Sequence, residues 1–296
     1  MKILVTGAKG QLGSDLAPRL KAAGFDALSL SSAELDIADG SAVAAAVKKE
    51  KPGIIINSAA YTKVDLAEKE RDLAFAVNEK GAINIGKAAK ETGAKVIHVS
   101  TDFVFDGGSS APYTEDAATN PLSVYGSSKL AGERGLEGTL EEHVIVRTSW
   151  LYGTTGNNFV KTILRLASER DMLRIVYDQI GTPTWSADLA AVLADISKAL
   201  SDGAQPWGIY HYSNEGVASW YDFALAICEE AGALGIPLKC AFLEPILTAE
   251  YPTPARRPAF SVMDKAKIKK TFSLKIPHWR VSLRSMLKEL HGGSHA

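Results

Sequence analysis

The chain has 296 residues, of which 46% are hydrophobic and 23% are charged, and its formal net charge is −1. A near-neutral charge gives no support for a nucleic-acid or membrane-surface partner, and no stretch approaches the run of about 20 apolar residues that crosses a bilayer. The first residues enter an apolar strand directly and leave no room for a signal peptide, so we expect a cytoplasmic protein. Two cysteines, Cys228 and Cys240, are too few for a disulfide or metal framework.

The first half of the chain alternates short apolar runs with segments of helical periodicity. Strands are predicted at 3–5, 27–30, 54–56, 95–100 and 144–146, and helices at 11–23, 41–49 and 66–92. Continuous apolar strands that alternate with helices indicate a parallel sheet covered on both faces. We therefore predict an α/β fold with a Rossmann-type doubly wound parallel sheet.

The pattern loosens after about residue 150. Helices are predicted at 157–169 and 186–199, and strands at 173–176 and 209–212. We predict that residues 1–150, with parts of 173–215, form a dinucleotide-binding domain, and that 151–172 and 216–290 form a smaller mixed α/β substrate domain. Residues 291–296 resemble a tail of non-native origin, so His295 is excluded from any site.

A glycine-rich turn joins the first predicted strand to the first helix. Gly7, Gly10 and Gly13 allow a tight turn and a close approach of the backbone to a pyrophosphate, which the free N–H groups of the helix would bind. Because the motif stands in a strand–turn–helix context, it indicates a dinucleotide site rather than a purely structural turn.

The second strand decides which nicotinamide the site prefers. It ends Leu30-Ser31-Ser32, with neither an acid for a ribose 2′-hydroxyl nor an arginine for a 2′-phosphate. Without an acid to repel the phosphate, and with serines to donate to it, this end favours NADPH, with NADH as the alternative. Asp36 and Ile37 fit a position beside the adenine, although Asp36 is equally suited to cap a helix.

Tyr125 and Lys129 are spaced to lie on one face of a helix. A lysine there, beside a bound cationic cofactor, would lower the tyrosine pKa from about 10 and prepare the phenol for proton exchange with a carbonyl. Thr101 follows the strand at 95–100, at the carboxyl edge where ligands of open α/β sheets bind. A hydroxyl, a phenol and an ammonium can therefore converge there, which favours catalysis over a solvated helix face.

Eight motifs together resemble the extended short-chain dehydrogenase/reductases, and within them the dTDP-4-dehydrorhamnose reductase family. They cover nearly the whole chain, including the predicted substrate domain. The motifs lie at 7–13, 57–65, 100–105, 125–129, 147–150, 156–161, 178–184 and 251–258.

The resemblance implies a reaction and assigns residues to it. The reaction is hydride transfer from NADPH or NADH to the 4-keto carbon of dTDP-4-dehydro-6-deoxy-L-mannose, which is the last step of dTDP-L-rhamnose synthesis. Thr101, Tyr125 and Lys129 match the catalytic trio. The positions that match dinucleotide contacts are Gly7, Gly10, Gln11, Leu12, Gly13, Ser31, Asp36, Ile37, Ala60, Tyr61, Asn78, Tyr125 and Lys129. Those that match substrate contacts are Thr62, Val64, Asp102, Trp150, Asn158, Lys161 and Arg257.

Some members of the family use a divalent metal at a dimer contact, built from acids near the first helix and near residues 187–190. Here Asp15 and Asp188 stand among alanines and leucines, so we expect no bound metal. Monomer and homodimer both remain open.

Two other functions remain open from the sequence. A nucleotide-sugar epimerase or dehydratase shares the trio, but a dehydratase is expected to carry an acid pair after the threonine, where this chain has Asp102-Phe103. A regulatory subunit that binds dinucleotide usually keeps the fold and loses the trio, which is intact here.

Overall fold

The computed structural model describes residues 1–292. In the first half, the strands are β1 Lys2–Thr6, β2 Asp26–Leu30, β3 Ile54–Asn57, β4 Lys95–Thr101 and β5 His143–Thr148, and the helices are α1 Gln11–Ala22, α2 Gly40–Glu50, α3 Val64–Ala67, α4 Arg71–Phe75, α5 Gly81–Thr92 and α6 Val124–Glu137. A π-helix, Ala76–Lys80, joins α4 to α5, and a 3₁₀ turn, Asp102–Val104, follows β4.

In the second half, the strands are β6 Leu151–Tyr152, β7 Met172–Val176, β8 Ile180–Gly181, β9 Thr184–Trp185, β10 Gly208–His211, β11 Ala218–Ser219 and β12 Phe242–Ile246. The helices are α7 Phe159–Glu169, α8 Ser186–Ser201, α9 Trp220–Ala233, α10 Ala266–Phe272 and α11 Trp279–Gly292, with a 3₁₀ turn at Thr248–Glu250.

Six parallel strands form the central sheet, in the order β10-β5-β4-β3-β1-β2. The chain moves outward from β1 to β2 and then crosses to β3 on the other side of β1. The order of the strands therefore reverses between β1 and β3, where open α/β sheets hold their ligands. The predicted doubly wound parallel sheet is confirmed.

Both faces of the sheet are covered by helices, which explains the unbroken apolar strands. Ile3 and Val5 of β1 pack with α1 and α8 on one face. Leu4, between them, packs with α2 and α5 on the other. Successive side chains of a strand point to opposite faces, so both alternating sets must be apolar.

A separate apolar cluster lies in the second half of the chain. Tyr152, Phe223 and Leu283 are buried there with side chains of α7, β7 and β12. Ile268 of α10 instead packs with α1 and α8 beside the central sheet, although the sequence division assigned it to the substrate domain. The two-domain division stays a prediction, with α10 better grouped with the first part.

Several predicted elements differ from the observed ones. The helix predicted at 66–92 is broken into α3, α4, the π-helix and α5, and α9 to α11 were not predicted. His291 and Gly292, which the sequence division assigned to the tail, are the last two residues of α11, and the origin of the tail stays a prediction. The rest of that tail, including His295, lies outside the described residues.

Candidate active site

The glycine turn after β1 packs against the chain that leaves β3. Gly7 has φ +75°, and a Cβ there would lie 2.8 Å from the Ala59 backbone. A Cβ on Gly13 would lie 2.2 Å from the Gly7 carbonyl oxygen. Larger residues would therefore push α1 away from the turn, and the sequence brings the start of α1 to the point where the strand order reverses.

The first turn of α1 is suited to an anion. Its N-cap residue, Gly10, has no side chain that could bond to the free N–H groups, and the first turn holds no acidic residue. The N–H groups of Gln11, Leu12 and Gly13 begin the helix at its positive dipole end. These features fit the pyrophosphate of a dinucleotide.

The end of β2 differs from the sequence-based prediction. The Ser31 hydroxyl donates to Glu34 Oε2 at 2.6 Å, and the Ser31 N–H donates to the same oxygen at 2.9 Å. These bonds hold the pKa of the exposed Glu34 carboxyl below its usual range. Glu34 thus brings a carboxylate to the strand end that appeared free of acid, and the Ser31 hydroxyl already has an acceptor.

Asp36 and Ile37 follow in the same loop. The exposed Asp36 Oδ1 accepts from the Ala38 N–H at 2.9 Å, whereas Ile37 is buried against Gly81.

Asn78, in the π-helix, fixes the loop after β3 to α6. Its Oδ1 accepts from the Tyr61 N–H at 2.8 Å, and its Nδ2 donates to the Tyr61 carbonyl and to Ser128 Oγ. The side chain is 1% exposed. Asn78 therefore positions the backbone of Ala60 and Tyr61, and its amide is fully occupied by protein groups.

The three residues predicted to be catalytic converge at the carboxyl edge of β4. Thr101 ends this strand, and Tyr125 and Lys129 lie on the first turns of α6. The Thr101 hydroxyl is hydrogen-bonded to the Tyr125 phenol, and the phenol ring packs edge-on against Phe103 at 5.4 Å between centroids.

Burial, rather than a neighbouring cation, sets the proton affinity of the phenol. It raises the pKa of Tyr125 to about 12, with the Thr101 hydrogen bond lowering it and the Asp102 carboxyl raising it. The protein groups alone do not produce the lowered pKa expected from the Tyr–Lys spacing. Through the neutral range the phenol holds its proton, which suits a proton donor.

Lys129 is enclosed by the protein. It is 2% exposed, and its Nζ donates to the Val99 carbonyl at 2.7 Å and lies 3.3 Å from His98 Nε2. Burial lowers its pKa to about 8, while Glu133, one turn further along α6, opposes that shift.

Asp102 lies directly beside the trio. It is 1% exposed, and its Oδ1 accepts from Thr101 Oγ1 at 3.0 Å. Burial raises its pKa to about 6. Within residues 1–292, its buried Oδ2 makes no hydrogen bond of regular geometry, although the Ser261 hydroxyl is close enough to lower the Asp102 pKa. An acceptor that is buried next to the trio and only weakly satisfied is suited to receive a ligand hydroxyl.

Trp150 lies two residues after the end of β5, where Thr148 pairs with Thr101 of β4. Its φ is +47°, which is unusual for a bulky residue. Its indole stacks on Trp220 with 3.5 Å between centroids, and a Cβ on Gly181 would lie 2.6 Å from it. Trp220, at the start of α9, was not singled out from the sequence. It forms one platform with Trp150, and the glycine leaves room for the ring.

The comparisons with known proteins agree with this geometry. The family model described as "RmlD substrate binding domain" matches residues 1–291. The dTDP-4-dehydrorhamnose reductase of Aggregatibacter actinomycetemcomitans is 45% identical over 96% of this chain and 98% of that protein. The Escherichia coli K12 enzyme of the same name is 43% identical, with 98% of each chain covered. The chain belongs to the dTDP-4-dehydrorhamnose reductase family.

Solved structures place the fold in the same family. The dTDP-4-dehydrorhamnose reductase of Clostridium acetobutylicum superposes with a TM-score of 0.92 at 39% identity, covering 98% of this chain and 100% of that one. The Bacillus anthracis reductase, solved in complex with NADP, gives 0.90 at 40% identity, covering 97% and 99%. A Thermus thermophilus UDP-glucose 4-epimerase, 20% identical, shares the fold.

The reductase-family positions near the domain junction are tied to one another. Asn158 caps α7, since its Oδ1 accepts from the Lys161 N–H, and its Nδ2 donates to Gln11 Oε1 and to the Gly153 carbonyl. The Lys161 ammonium donates to the Thr154 carbonyl at 3.2 Å. These bonds link α7 to the start of α1.

Arg257 is already paired in the structure. Its guanidinium donates to both carboxylate oxygens of Asp65 in α3, at 2.8 and 3.1 Å, and to Thr253 Oγ1. Thr62 and Val64 lie just before and at the start of the same helix, where Thr62 is exposed and Val64 half-buried. Their predicted contacts with substrate, and those of Asn158, Lys161 and Arg257, stay predictions.

The acids considered for a metal site have protein partners. Asp15 Oδ2 accepts from Ser186 Oγ at 2.5 Å, and Asp188 Oδ2 accepts from Asn214 and Ser282. No cluster of three or more His, Cys, Asp or Glu suited to a metal ion occurs in residues 1–292. In the same range, every helix is too short or too polar to cross a membrane.

Proposed function

We propose that this protein reduces the 4-keto group of dTDP-4-dehydro-6-deoxy-L-mannose to give dTDP-L-rhamnose, the last step in making this sugar nucleotide for cell-surface polysaccharide. The observation that carries the proposal is the convergence of Thr101, Tyr125 and Lys129 at the edge of the sheet, in a chain that matches the reductase family over residues 1–291.

The dinucleotide supplies a hydride to the carbonyl carbon when it is bound. Tyr125 would donate its proton to the carbonyl oxygen, and Thr101 would hold that oxygen by a hydrogen bond. The phenol is protonated through the neutral range, so it is in the form that the reduction needs. Lys129 would bind the nicotinamide ribose and stabilise the phenolate that remains.

We propose NADPH as the hydride donor, with NADH as the alternative. The Bacillus anthracis relative was solved with NADP. The uncapped first turn of α1 would hold the pyrophosphate, with Ala60 and Tyr61 along the nicotinamide half. Glu34 lies at the strand end where the adenosine ribose would bind, so NADPH selectivity is expected to be modest.

The sugar nucleotide would occupy the cleft between the trio and the Trp150 platform. The indole offers an apolar face to the methyl group of a 6-deoxy sugar, and Asp102 Oδ2 offers an acceptor to a sugar hydroxyl. Thr62, Val64, Asn158, Lys161 and Arg257 would contact the rest of the nucleotide sugar. The protein would act in the cytoplasm, as a monomer or a homodimer.

A panel of 4-keto sugar nucleotides, assayed by oxidation of NADPH and of NADH, tests this function. We expect the dTDP-linked 6-deoxy-4-keto-L-mannose to be the best substrate and the nicotinamide to be consumed one for one. An epimerase would turn substrate over without net oxidation, and a regulatory subunit would bind dinucleotide without any turnover. Either result would reject the proposal.

A further inference from the structure

A chain of buried polar side chains runs behind the catalytic lysine. Thr6 Oγ1 donates to Asn57 Oδ1 at 2.6 Å, Asn57 Nδ2 lies 3.0 Å from His98 Nδ1, and His98 Nε2 lies 3.3 Å from Lys129 Nζ. The chain crosses three adjacent strands, β1, β3 and β4, and ends on α6. Each of its four residues is at most 2% exposed.

The reaction proposed above uses only the last member of this chain. Polar side chains that are buried within or at the end of apolar strands are costly unless they are hydrogen-bonded, and here they satisfy one another. A purely structural role would be served equally well by apolar residues, which fill the neighbouring positions of the same strands. These buried polar side chains therefore indicate that Lys129 needs polar neighbours.

The hydrogen-bonding capacities fit an ammonium held by a neutral imidazole. One hydrogen of Lys129 Nζ goes to the Val99 carbonyl, and a second can go to His98 Nε2 when the ring carries its proton on Nδ1. The Asn57 side-chain amide can be rotated so that its oxygen and nitrogen exchange places. Its oxygen then accepts from His98 Nδ1–H, and its nitrogen donates to the Thr6 hydroxyl, which accepts instead of donating. The third ammonium hydrogen is left for the cofactor ribose.

We propose that His98 is a positioning residue that keeps Lys129 protonated and aimed at the cofactor, with Asn57 holding the imidazole in the accepting tautomer. The proposal rests on the role of Lys129 in the proposed function. His98 touches neither substrate nor the reacting atoms and acts only through the lysine.

The charged and titratable groups around this pair come from two elements besides β4. Glu133 and Tyr125 share α6 with Lys129, and the Glu133 carboxylate is itself paired with Arg147 of β5 at 2.7 Å. His143, also on β5, faces His98. Burial and the Lys129 charge hold the pKa of His98 well below its usual value, so the ring stays neutral throughout the range in which the enzyme is assayed.

The direct test is to monitor the titration of Lys129 by NMR in unliganded protein that carries ¹³C-labelled lysine. The Lys129 signal is assigned as the one missing from the Lys129→Met variant. His98→Leu removes the acceptor, and we expect the pKa of Lys129 to fall by about one unit, as for loss of a hydrogen bond to a charged group. His98→Gln keeps a neutral acceptor near the Nε2 position, and we expect it to restore most of that fall. His143→Leu, which removes another buried imidazole of the same sheet, should leave the titration unchanged.

The same variants are then compared by kinetics, by dinucleotide affinity from fluorescence titration, and by thermal unfolding. We expect His98→Leu to lower kcat more than it raises KM, and to move the alkaline limb of kcat/KM downward by the shift seen in NMR. Asn57→Ala removes the side chain that holds the His98 ring, and we expect it to lower the Lys129 pKa by a smaller amount. This variant tests the same inference if His98→Leu does not fold.

An unchanged or raised Lys129 pKa in both His98→Leu and Asn57→Ala would overturn this inference. The proposed function would survive that result as long as Lys129→Met still abolishes turnover. Full turnover in Lys129→Met would instead reject the role of the lysine in the function itself.

Discussion

At the scale of single residues, burial decides which groups of the candidate site carry protons. Burial raises the pKa of Tyr125 to about 12 and that of Asp102 to about 6, in both cases by disfavouring the charged form. The site therefore holds a protonated phenol at all physiological pH values, beside a carboxyl that titrates near pH 6. Groups shifted in this way cluster at functional sites, and here both lie beside Thr101.

Removing the phenol oxygen should abolish the acid without disturbing the fold. Tyr125→Phe keeps the ring that packs on Phe103 and removes only the hydroxyl. We expect kcat to fall by about 10²–10⁴-fold, the usual contribution of a positioned acid, while the dissociation constant for NADPH stays nearly unchanged. Tyr177→Phe, at an exposed tyrosine, is the control. Near-normal turnover in Tyr125→Phe would remove the phenol from the mechanism.

Asp102 is expected to lower the stability of the protein at neutral pH. Its folded-state pKa is raised above the unfolded value of about 3.9, so the folded state binds the proton more tightly, and the carboxyl becomes destabilising as pH rises from 4 through 6. Asp102→Asn keeps an acceptor for Thr101 and removes the charge. We expect it to raise the free energy of unfolding by roughly 2–3 kcal/mol at pH 7.5, and by much less at pH 4.5, while activity falls. Urea denaturation at the two pH values checks the sign, and equal effects at both would contradict the buried-charge explanation.

The end of β2 shows that the residues at a strand end do not by themselves predict which side chains bond to them. The prediction considered only Ser31 and Ser32 at the strand end, whereas Glu34 turns back and accepts from the Ser31 N–H and hydroxyl. The Ser-x-x-Glu spacing is a capping-box signature and was the available signal. His98 and Asn57 carried a second signal, because each is a polar residue directly after an apolar run of its strand.

At the scale of elements, α6 can carry the Tyr–Lys pair only because two of its glycines allow close packing. A Cβ on Gly126 would lie 2.3 Å from the Phe103 carbonyl oxygen, and one on Gly132 would lie 2.1 Å from that of Asn78. The helix thus touches the turn after β4 at one end and the π-helix further along. This contact fixes the distance of the phenol from Thr101.

Gly132→Ala should therefore shift α6 although alanine is the better helix former. We expect a loss of about 1–3 kcal/mol in the free energy of unfolding, typical of overpacking, together with reduced kcat. Gly232→Ala in α9 is the matched control, since nothing lies within 4 Å of the added methyl group, and it should stabilise by up to about 1 kcal/mol. A stabilised Gly132→Ala would show that the contact with Asn78 is not tight.

The segment 66–92 shows why helical periodicity alone misplaced some boundaries. The apolar spacing predicted one long helix, whereas the chain forms α3, α4, a π-helix and α5. The π-helix turns Asn78 toward Tyr61 and Ser128, and tertiary bonds of that kind leave no periodic trace in the sequence. The buried strands and the first helices were predictable because their residue patterns are local.

At the scale of the whole molecule, the first half of the fold could be predicted and much of the second could not. Unbroken apolar runs predict the parallel strands of the central sheet. The short pairs β6–β9, β8–β11 and β7–β12 instead depend on contacts between residues far apart in the sequence. The Trp150–Trp220 platform is of the same kind, because its two rings come from segments that only the fold brings together.

The Asp65–Arg257 pair joins the segment after β3 to the loop at 251–258. Both side chains are partly exposed, at 41% and 24%, so the pair itself contributes about 1 kcal/mol or less to stability. We expect the guanidinium to exchange Asp65 for the diphosphate when substrate binds. Arg257→Met should then raise KM about tenfold, whereas Asp65→Asn, which frees the guanidinium, should lower it. A rise in KM with both variants would indicate a purely structural bridge.

The fate of the hydride distinguishes net reduction from epimerisation and from binding without turnover. The protein is incubated with dTDP-4-dehydro-6-deoxy-L-mannose and NADPH that carries deuterium at both C4 positions of the nicotinamide, and the product sugar is examined by mass spectrometry and NMR. We expect dTDP-L-rhamnose with one deuterium at C4 of the sugar for each NADPH oxidised, and almost none with Tyr125→Phe. Turnover of the sugar without deuterium at C4, or without oxidation of NADPH, would contradict the proposed reduction.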